Sequence, residues 1–158
     1  MEILVIRHAQ AEDDSLTGRD FDRKLTSKGK RQSKDIGKLL RKAELVPELV
    51  LTSPVVRARD TATLLCGAGK FADPLIENWL SCGMRPEEAI EQLGGFSNFG
   101  RVAIVGHQPD LGMLVEHWLG CDGGAIRVRK AEVFYLALGP GLRRGHLQAA
   151  LPWQFTGR

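Results

Sequence analysis

Three short apolar runs constrain the fold of this chain more than any other feature of its sequence. They span residues 3–6, 49–51 and 102–105 and consist of valine, isoleucine, leucine and alanine. Runs of this length without polar alternation are typical of strands that are covered on both faces, as in a parallel sheet. Amphipathic stretches separate the runs, so the sequence predicts an α/β fold with a mostly parallel sheet flanked by helices.

Periodicity and capping residues predict the first two helices. Residues from about 26 to 43 have one apolar face, as expected for a helix that packs on a sheet. Ser53 followed by Pro54 predicts the start of a second helix, which Gly67 and Gly69 end. The opposite face of the first helix is a basic stripe, which we interpret as solvated rather than as a nucleic-acid contact: Arg31, Lys34, Lys38 and Arg41.

Two further helices and a hairpin complete the predicted elements. One helix is predicted over about 85–93, and another runs from Pro109 to Gly120. Towards the end of the sequence, apolar runs over about 126–138 and 146–151 are separated by a Gly-Pro-Gly turn. They predict a hairpin-like pair at the edge of the sheet.

The composition fits one globular domain. Of the 158 residues, 43% are hydrophobic, which is sufficient for one core, and 26% are charged. The formal net charge of +3 is too small to indicate a nucleic-acid partner. No apolar run approaches the roughly 18 residues that cross a bilayer, and the first residues lack the pattern of a signal peptide. We therefore expect a cytoplasmic protein with no membrane partner.

The three cysteines, Cys66, Cys82 and Cys121, are predicted to be free and buried. They lie far apart, are odd in number and lack CxxC spacing, which argues against a disulfide framework and against a zinc site. The sequence therefore predicts neither a bound metal nor a cofactor.

Polar residues follow each apolar run at the point where a strand would end. Arg7 and His8 follow the first run, and His107 follows the third. Ser53 follows the second run, with Arg57 in the first turn of the next helix. Ligands bind at the carboxyl ends of parallel strands, so two histidines and two arginines are expected to converge there. Each residue alone has an ordinary structural explanation, but the joint pattern is hard to explain by packing.

These residue types suit phosphoryl transfer. A neutral imidazole is a nucleophile near neutral pH, and nearby arginines lower the pKa of His8, which favours its neutral form. Guanidinium groups pair bidentately with phosphate oxygens, and the helix N-terminus near Pro54 adds backbone donors. His107, if protonated, would neutralise charge on the equatorial oxygens. The other two histidines, His117 and His146, are assigned no role in the site.

Four stretches of the sequence share the pattern of a known family. They are LVIRHAQAE (4–12), RKLTSKGKRQ (23–32), LTSPVVRARDTA (51–62) and VAIVGHQPDLG (102–112). With them the chain resembles the histidine phosphatase superfamily, and within it the SixA-type phosphohistidine phosphatases. The resemblance implies that residues 1–158 form a single histidine phosphatase domain with a three-layer, phosphoglycerate mutase-like α/β fold.

The resemblance also implies roles for individual side chains. His8 is implied to be the nucleophile that is phosphorylated during turnover. The phosphate pocket around it is implied to consist of Arg7, Arg57 and His107, with Arg23 assisting.

The proton donor is implied less directly. The SixA-type pattern has an aspartate just before the Arg-x-Leu-Thr segment, and Asp20 matches that position. Asp22 is an adjacent competitor, and either residue has the ordinary explanation of a solvated loop aspartate.

The sequence thus predicts a metal-independent phosphatase that acts through a phosphohistidine enzyme intermediate. Its partner is expected to be a phosphoprotein substrate, because a short chain leaves little material for a lid and an open site suits phosphohistidine on another protein. Small phosphorylated compounds are the nearest alternative substrates, whereas a mutase would have to exclude water. A non-catalytic phosphate-binding module and, last, a nucleic-acid binder remain the alternatives from other classes.

Overall fold

A computed structural model describes residues 1–156, in which a six-stranded sheet has helices on both faces. The strands are β1 (Glu2–Arg7), β2 (Leu49–Thr52), β3 (Leu75–Ile76), β4 (Arg101–Gly106), β5 (Glu132–Leu138) and β6 (Gly145–Pro152). The helices are α1 (Ser27–Lys42), α2 (Val56–Gly69), α3 (Pro86–Gly94) and α4 (Asp110–Leu119). Within the described residues, no helix has the length and apolar sequence that crossing a bilayer requires.

The strand order in the sheet is β3-β2-β4-β1-β5-β6. The first four strands in this order run parallel to their neighbours. β5 runs antiparallel to β1, and β6 pairs antiparallel with β5 at the edge. The predicted α/β fold with a mostly parallel sheet is therefore confirmed.

β1 buries side chains on both faces of the sheet, as its uninterrupted apolar sequence predicts. Ile3 and Val5 pack into the core that includes residues of α3 and α4. Leu4 and Ile6 pack into the core that includes residues of α1 and α2. Each core excludes water from apolar surface, and this burial stabilises the three layers.

The second helix begins later than the Ser53-Pro54 pair predicts. α2 starts at Val56, and no side chain caps it. The Ser53 hydroxyl oxygen instead accepts a hydrogen bond from the Val55 N–H at 3.2 Å and lies 2.8 Å from His107 Nε2. A short turn therefore replaces the first predicted helical residues. The Ser53 hydroxyl group contacts His107, which follows β4, instead of capping the helix.

The C-terminal hairpin also begins later than predicted. β5 starts at Glu132 rather than near residue 126, and Ala131 has a φ of 54°, which an extended strand cannot pass through. The preceding segment is a loop whose Ala131 N–H donates to the Arg7 carbonyl at 3.1 Å. The two-residue strand β3 was not predicted, because it is too short to show a period.

Two of the three cysteines differ from the prediction. Cys66 is buried in α2, whereas Cys82 and Cys121 are exposed. Both exposed residues lie in connecting segments. Such segments run over the surface, because backbone groups outside helices and strands need water as a hydrogen-bond partner. All three thiols are free, as the sequence predicts.

The basic face of α1 is exposed, as predicted, but Arg41 is not merely solvated. Its guanidinium group donates to the carbonyl oxygens of Gly69 and Lys70 at 2.8 and 2.6 Å. These are carbonyls at the end of α2, which lack partners inside the helix. Arg41 therefore joins the two helices on one face of the sheet.

Gly37 allows α1 and α2 to approach each other closely. A Cβ atom at this position would overlap the carbonyl oxygen of Leu65 and lie 3.0 Å from the Gly69 nitrogen, both backbone atoms of α2. Gly67, in α2, faces open space and has no such neighbour within 4 Å. The packing of α1 on α2 therefore leaves no room for a side chain at Gly37, whereas Gly67 has room for one.

Substitution of these two glycines by alanine is predicted to have opposite effects on stability. Gly37→Ala forces the helices apart and is expected to lower the free energy of unfolding by roughly 1–3 kcal/mol. Gly67→Ala adds a better helix former without a clash and is expected to raise it by up to about 1 kcal/mol. Urea unfolding of both variants measures the difference, and equal effects would contradict the close approach at Gly37.

Candidate active site

The pairing of β1 with β4 brings two histidines together. Arg7 pairs with Gly106 at the last register position, and the His8 N–H donates to the Gly106 carbonyl at 3.0 Å. His107 follows directly, so the two imidazole rings lie with centroids 5.3 Å apart and planes tilted by 53°. Strand register alone therefore fixes the spacing of these side chains.

The His8 ring has a defined tautomer. Its Nδ1 lies 2.8 Å from the Ala9 carbonyl oxygen, which can only accept, so Nδ1 bears the proton in this contact. Nε2 is therefore unprotonated, and its lone pair accepts a hydrogen bond from Arg57 Nε at 3.3 Å. The side chain is 6% exposed. An imidazole with an unprotonated ring nitrogen is the form that can act as a nucleophile.

The surroundings of His8 keep its ring neutral. Burial, the largest cause, acts together with the charges of His107, Arg57 and Arg7 to lower the pKa of His8 to about 3, against a hydrogen bond to Ala9 that raises it. At neutral pH the ring therefore has an available lone pair. The arginine effect that the sequence predicts is present, but loss of hydration is the larger cause.

His107 is held by the hydroxyl group that follows β2. Its Nε2 lies 2.8 Å from Ser53 Oγ, while its Nδ1 is buried without a hydrogen-bond partner among residues 1–156. Burial first, and then the charge of Arg57, lower the pKa of His107 to about 4. At neutral pH the ring is therefore neutral, and its unpaired Nδ1 is available to an anion.

Arg57 connects His8 to the loop before α1. It is 5% exposed, and its Nη1 and Nη2 donate to the Asp20 carbonyl and carboxylate at 3.0 and 3.1 Å. Together with the contact to His8, these bonds engage all three guanidinium nitrogens and fix the plane of the group. A fixed plane preserves the geometry that bidentate phosphate binding needs.

Asp20, rather than Asp22, lies against the site. Asp20 is paired with both Arg57 and Arg23, the latter at 2.8 Å, and its side chain is 67% exposed. Asp22 instead accepts from Thr17 and pairs with Arg19. Partial desolvation raises the pKa of Asp20, but the bonds and charges of Arg23 and Arg57 outweigh it, and this pKa lies below its ordinary value.

Arg7 lies at the end of β1 beside the two histidines. Its Nη1 donates to the Val128 carbonyl oxygen at 3.2 Å, and its Nε is buried without a partner among residues 1–156. Burial, followed by the charges of Arg127 and Arg57, lowers the pKa of Arg7. An arginine in this setting gains from binding an anion, because a negative charge relieves each of these effects.

Two residues that border the site have no signal in the sequence. Cys82 Sγ lies 3.9 Å from Arg57 Nη2. Asp110, at the start of α4, accepts hydrogen bonds from the N–H groups of Gly83 and Met84 at 2.7 and 3.3 Å, and so holds the loop that contains this cysteine. Neither belongs to a periodic or capping pattern that would have signalled this placement.

Comparisons with known proteins agree with this geometry. A sequence model described as histidine phosphatase superfamily (branch 1) matches residues 3–73. An uncharacterised protein of Picosynechococcus sp. is 32% identical over 156 residues, which cover 92% of this chain and 90% of that protein.

Two solved structures illustrate the shared fold. The protein histidine phosphatase SixA complexed with tungstate has a TM-score of 0.88 at 20% identity, with 98% of both chains covered. The alpha-ribazole phosphatase of Shigella flexneri has a TM-score of 0.75 at 18% identity, with 97% of both chains covered. The three-layer, phosphoglycerate mutase-like fold that the resemblance implied is therefore confirmed.

Burial of two neutral histidines predicts a loss of stability in acid. His8 and His107 have folded pKa values of about 3 and about 4 against an ordinary 6.5, so between about pH 4 and 6.5 the unfolded chain binds more protons. Stability is present above 6.5 and declines as pH falls through this window, by up to roughly 1.4 kcal/mol per pH unit for each histidine. Urea unfolding from neutral pH to about pH 4 measures the slope.

Variants separate this effect from general acid denaturation. His8→Gln and His107→Gln are each expected to show a shallower slope than the wild type. His146→Gln alters an exposed side chain of β6 and is expected to keep the wild-type slope. Identical slopes in all four proteins would mean that neither buried ring resists protonation.

Proposed function

This chain belongs to the histidine phosphatase superfamily, and on that premise we propose that it is a phosphatase with His8 as its nucleophile. We further propose that its substrate is phosphohistidine on a protein. The observation that supports this most is the His8 ring, which is neutral, oriented by Ala9 and presents Nε2 to Arg57. Arg7, His107 and Arg57 form the phosphate pocket in this proposal, with Arg23 assisting through Asp20.

In the first step, the Nε2 lone pair of His8 attacks the phosphorus atom in line with the leaving nitrogen. An Nε2–P bond forms, the P–N bond of the substrate breaks, and its electron pair stays on the leaving nitrogen. A substrate imidazole that is protonated on its other nitrogen leaves as a neutral ring. His8 keeps its Nδ1 proton and its bond to the Ala9 carbonyl.

Charge on the transferred group is stabilised by the side chains around His8. Arg57 and Arg7 supply guanidinium donors, and the unpaired Nδ1 of His107 supplies a third donor when Ser53 donates to its Nε2. A phosphoryl group between these residues raises the pKa of His107, because a nearby negative charge favours the imidazolium form. Protonation of His107 in this scheme follows substrate binding.

The state of Asp20 favours phosphohistidine over a phosphate ester. An alkoxide leaving group needs a proton from a strong general acid, whereas a protonated imidazole leaves without one. Asp20 is paired with two arginines and has a lowered pKa, so at neutral pH it is a carboxylate and cannot donate a proton. An ionised Asp20 is suited to the second step instead.

In the second step, water hydrolyses the phosphoenzyme. The water oxygen attacks phosphorus, the Nε2–P bond breaks, and its electron pair returns to His8. Asp20 accepts the proton that the water loses and, being 67% exposed, passes it to solvent. Inorganic phosphate then leaves, and the neutral His8 is restored.

Phosphate release from small esters is the second candidate function. It is favoured by the alpha-ribazole phosphatase, whose fold this chain shares over 97% of its length. A non-catalytic phosphate-binding module is the alternative from another class, and it would bind phosphohistidine without releasing phosphate.

The activity is tested by phosphate release from a phosphohistidine-bearing protein and from small phosphate esters, with wild type beside His8→Ala and Arg57→Lys. Wild type is expected to act fastest on phosphohistidine, and His8→Ala to be inactive because no nucleophile remains. Arg57→Lys keeps the charge but loses the planar fork, and a fall of about 10²–10³ in rate is expected. Activity in His8→Ala would refute the scheme, and turnover of esters alone would support the second candidate.

The role of Asp20 is tested by trapping the intermediate. Asp20→Asn removes the proton acceptor of the second step, so phospho-His8 is expected to accumulate in the steady state. Mass spectrometry of the intact, rapidly quenched protein detects the added phosphoryl group. Asp22→Asn is the matched control, because Asp22 pairs with Arg19 rather than with Arg57, and accumulation in both variants or in neither would remove Asp20 from the mechanism.

A further inference from the structure

A surface cavity of about 640 Å³ shares Arg7 with the proposed active site. Its lining contains four cationic side chains and two amides, and no carboxylate: Arg7, Gln32, Arg127, Arg129, Lys130 and Gln154. Nothing in the proposed phosphoryl transfer uses the three cations of the 127–130 segment. The cavity therefore concentrates positive charge beside the transferred phosphoryl group. The proposed chemistry gives this charge no role.

Buried and half-buried side chains hold the backbone of the 127–130 segment. The Val128 carbonyl accepts from Arg7, and the Val128 N–H donates to the Gln108 side chain at 3.2 Å. The Arg129 N–H donates to the carboxylate of Glu132 at 2.6 Å, and this glutamate is buried. The segment is thus anchored at successive residues, which is the support that a binding site needs.

Anchoring makes the segment present its cations on one side. Val128 is buried, while its neighbours Arg127 and Arg129 are exposed and line the same cavity. Neither arginine, nor Lys130, forms an ion pair or side-chain hydrogen bond with any residue in 1–156. Three cations close together repel one another, and an anion in the cavity would relieve this repulsion.

Arg7 shows that this repulsion reaches the proposed phosphate pocket. Its pKa is lowered by burial and then by the charge of Arg127, and its buried Nε has no partner among residues 1–156. An anion between Arg7 and Arg127 would satisfy both features. The cavity and the phosphoryl pocket therefore meet at one guanidinium group.

We propose that this cavity is a second anion subsite, which binds carboxylates of an acidic segment that flanks the phosphohistidine of a substrate protein. The inference rests on the proposed function and adds a sequence preference to it. Carboxylate side chains on a peptide fit because the three cations are exposed and spread over a cavity much larger than one phosphate. Long, solvated cations of this kind give specificity and faster association rather than a large gain in affinity.

Two synthetic peptides test the subsite. Both contain one phosphohistidine; in one it is followed by three glutamates, and in the other by three glutamines. Wild type is expected to have a kcat/KM for the glutamate peptide about tenfold higher, as a few exposed ion pairs allow, and the preference is expected to decline as salt is added.

Variants of matched charge locate the preference. In R127Q/R129Q/K130Q, kcat/KM for the glutamate peptide is expected to fall about tenfold, toward that for the glutamine peptide. The control K34Q/K38Q/K42Q removes three cations from α1, outside the cavity, and is expected to keep the wild-type preference. Equal kcat/KM values for the two peptides in wild type, or loss of the preference in the control variant, would overturn the proposal.

A binding measurement separates this inference from the activity. The unphosphorylated glutamate peptide, labelled for fluorescence anisotropy, is expected to bind wild type more tightly than R127Q/R129Q/K130Q, even if no peptide is hydrolysed. Equal binding would overturn the subsite whatever the enzyme does. A different outcome is that pyrophosphate inhibits wild type but not R127Q/R129Q/K130Q, while wild type shows no preference for the glutamate peptide. This result would assign the cavity to the second phosphate of a small molecule and would refute the acidic segment.

Discussion

The parallel pairing of β1 with β4 is the interaction on which the rest of the site depends. It sets Arg7 opposite Gly106, so that the chain leaves both strands at the same edge and places His8 beside His107. A shift of the register by one residue would turn every side chain to the other face of the sheet. The two apolar cores on the faces of β1 prevent such a shift, so core packing also determines the geometry of the site.

The same burial that stabilises the sheet tunes the chemistry at its edge. His8 and His107 lose hydration where two layers of helices meet the strand ends, and both pKa values fall well below the ordinary one. The charges of Arg57 and Arg7, and that of His107 once acid protonates it, act in the same direction on His8. Keeping these rings neutral costs stability in acid, and it leaves a nitrogen lone pair available at neutral pH. The burial that keeps the His8 ring neutral is thus also a source of instability in acid.

Particular residues show which parts of the fold and of the site could be predicted from the sequence. The apolar runs predicted β1, β2 and β4, and the polar residues after them predicted which side chains lie together at the strand ends. The helix start predicted from the pair Ser53-Pro54 was too early. A hydroxyl group that can cap a helix can equally bind a histidine that follows a strand distant in sequence. Cys82 gave no local signal, since its place near Arg57 depends on a loop held by Asp110.

The sequence by itself determined the class of fold, the layers and the family, because these follow from periodicity and from short motifs that are local in the chain. Only the tertiary structure decided which nitrogen of His8 is free, which aspartate lies against Arg57, and that the loop over 127–130 adds cations beside Arg7. The physical reason is that tautomers, ion pairs and pKa values depend on burial and on distances between side chains. Those distances are set by elements far apart in the chain, and no local pattern encodes them.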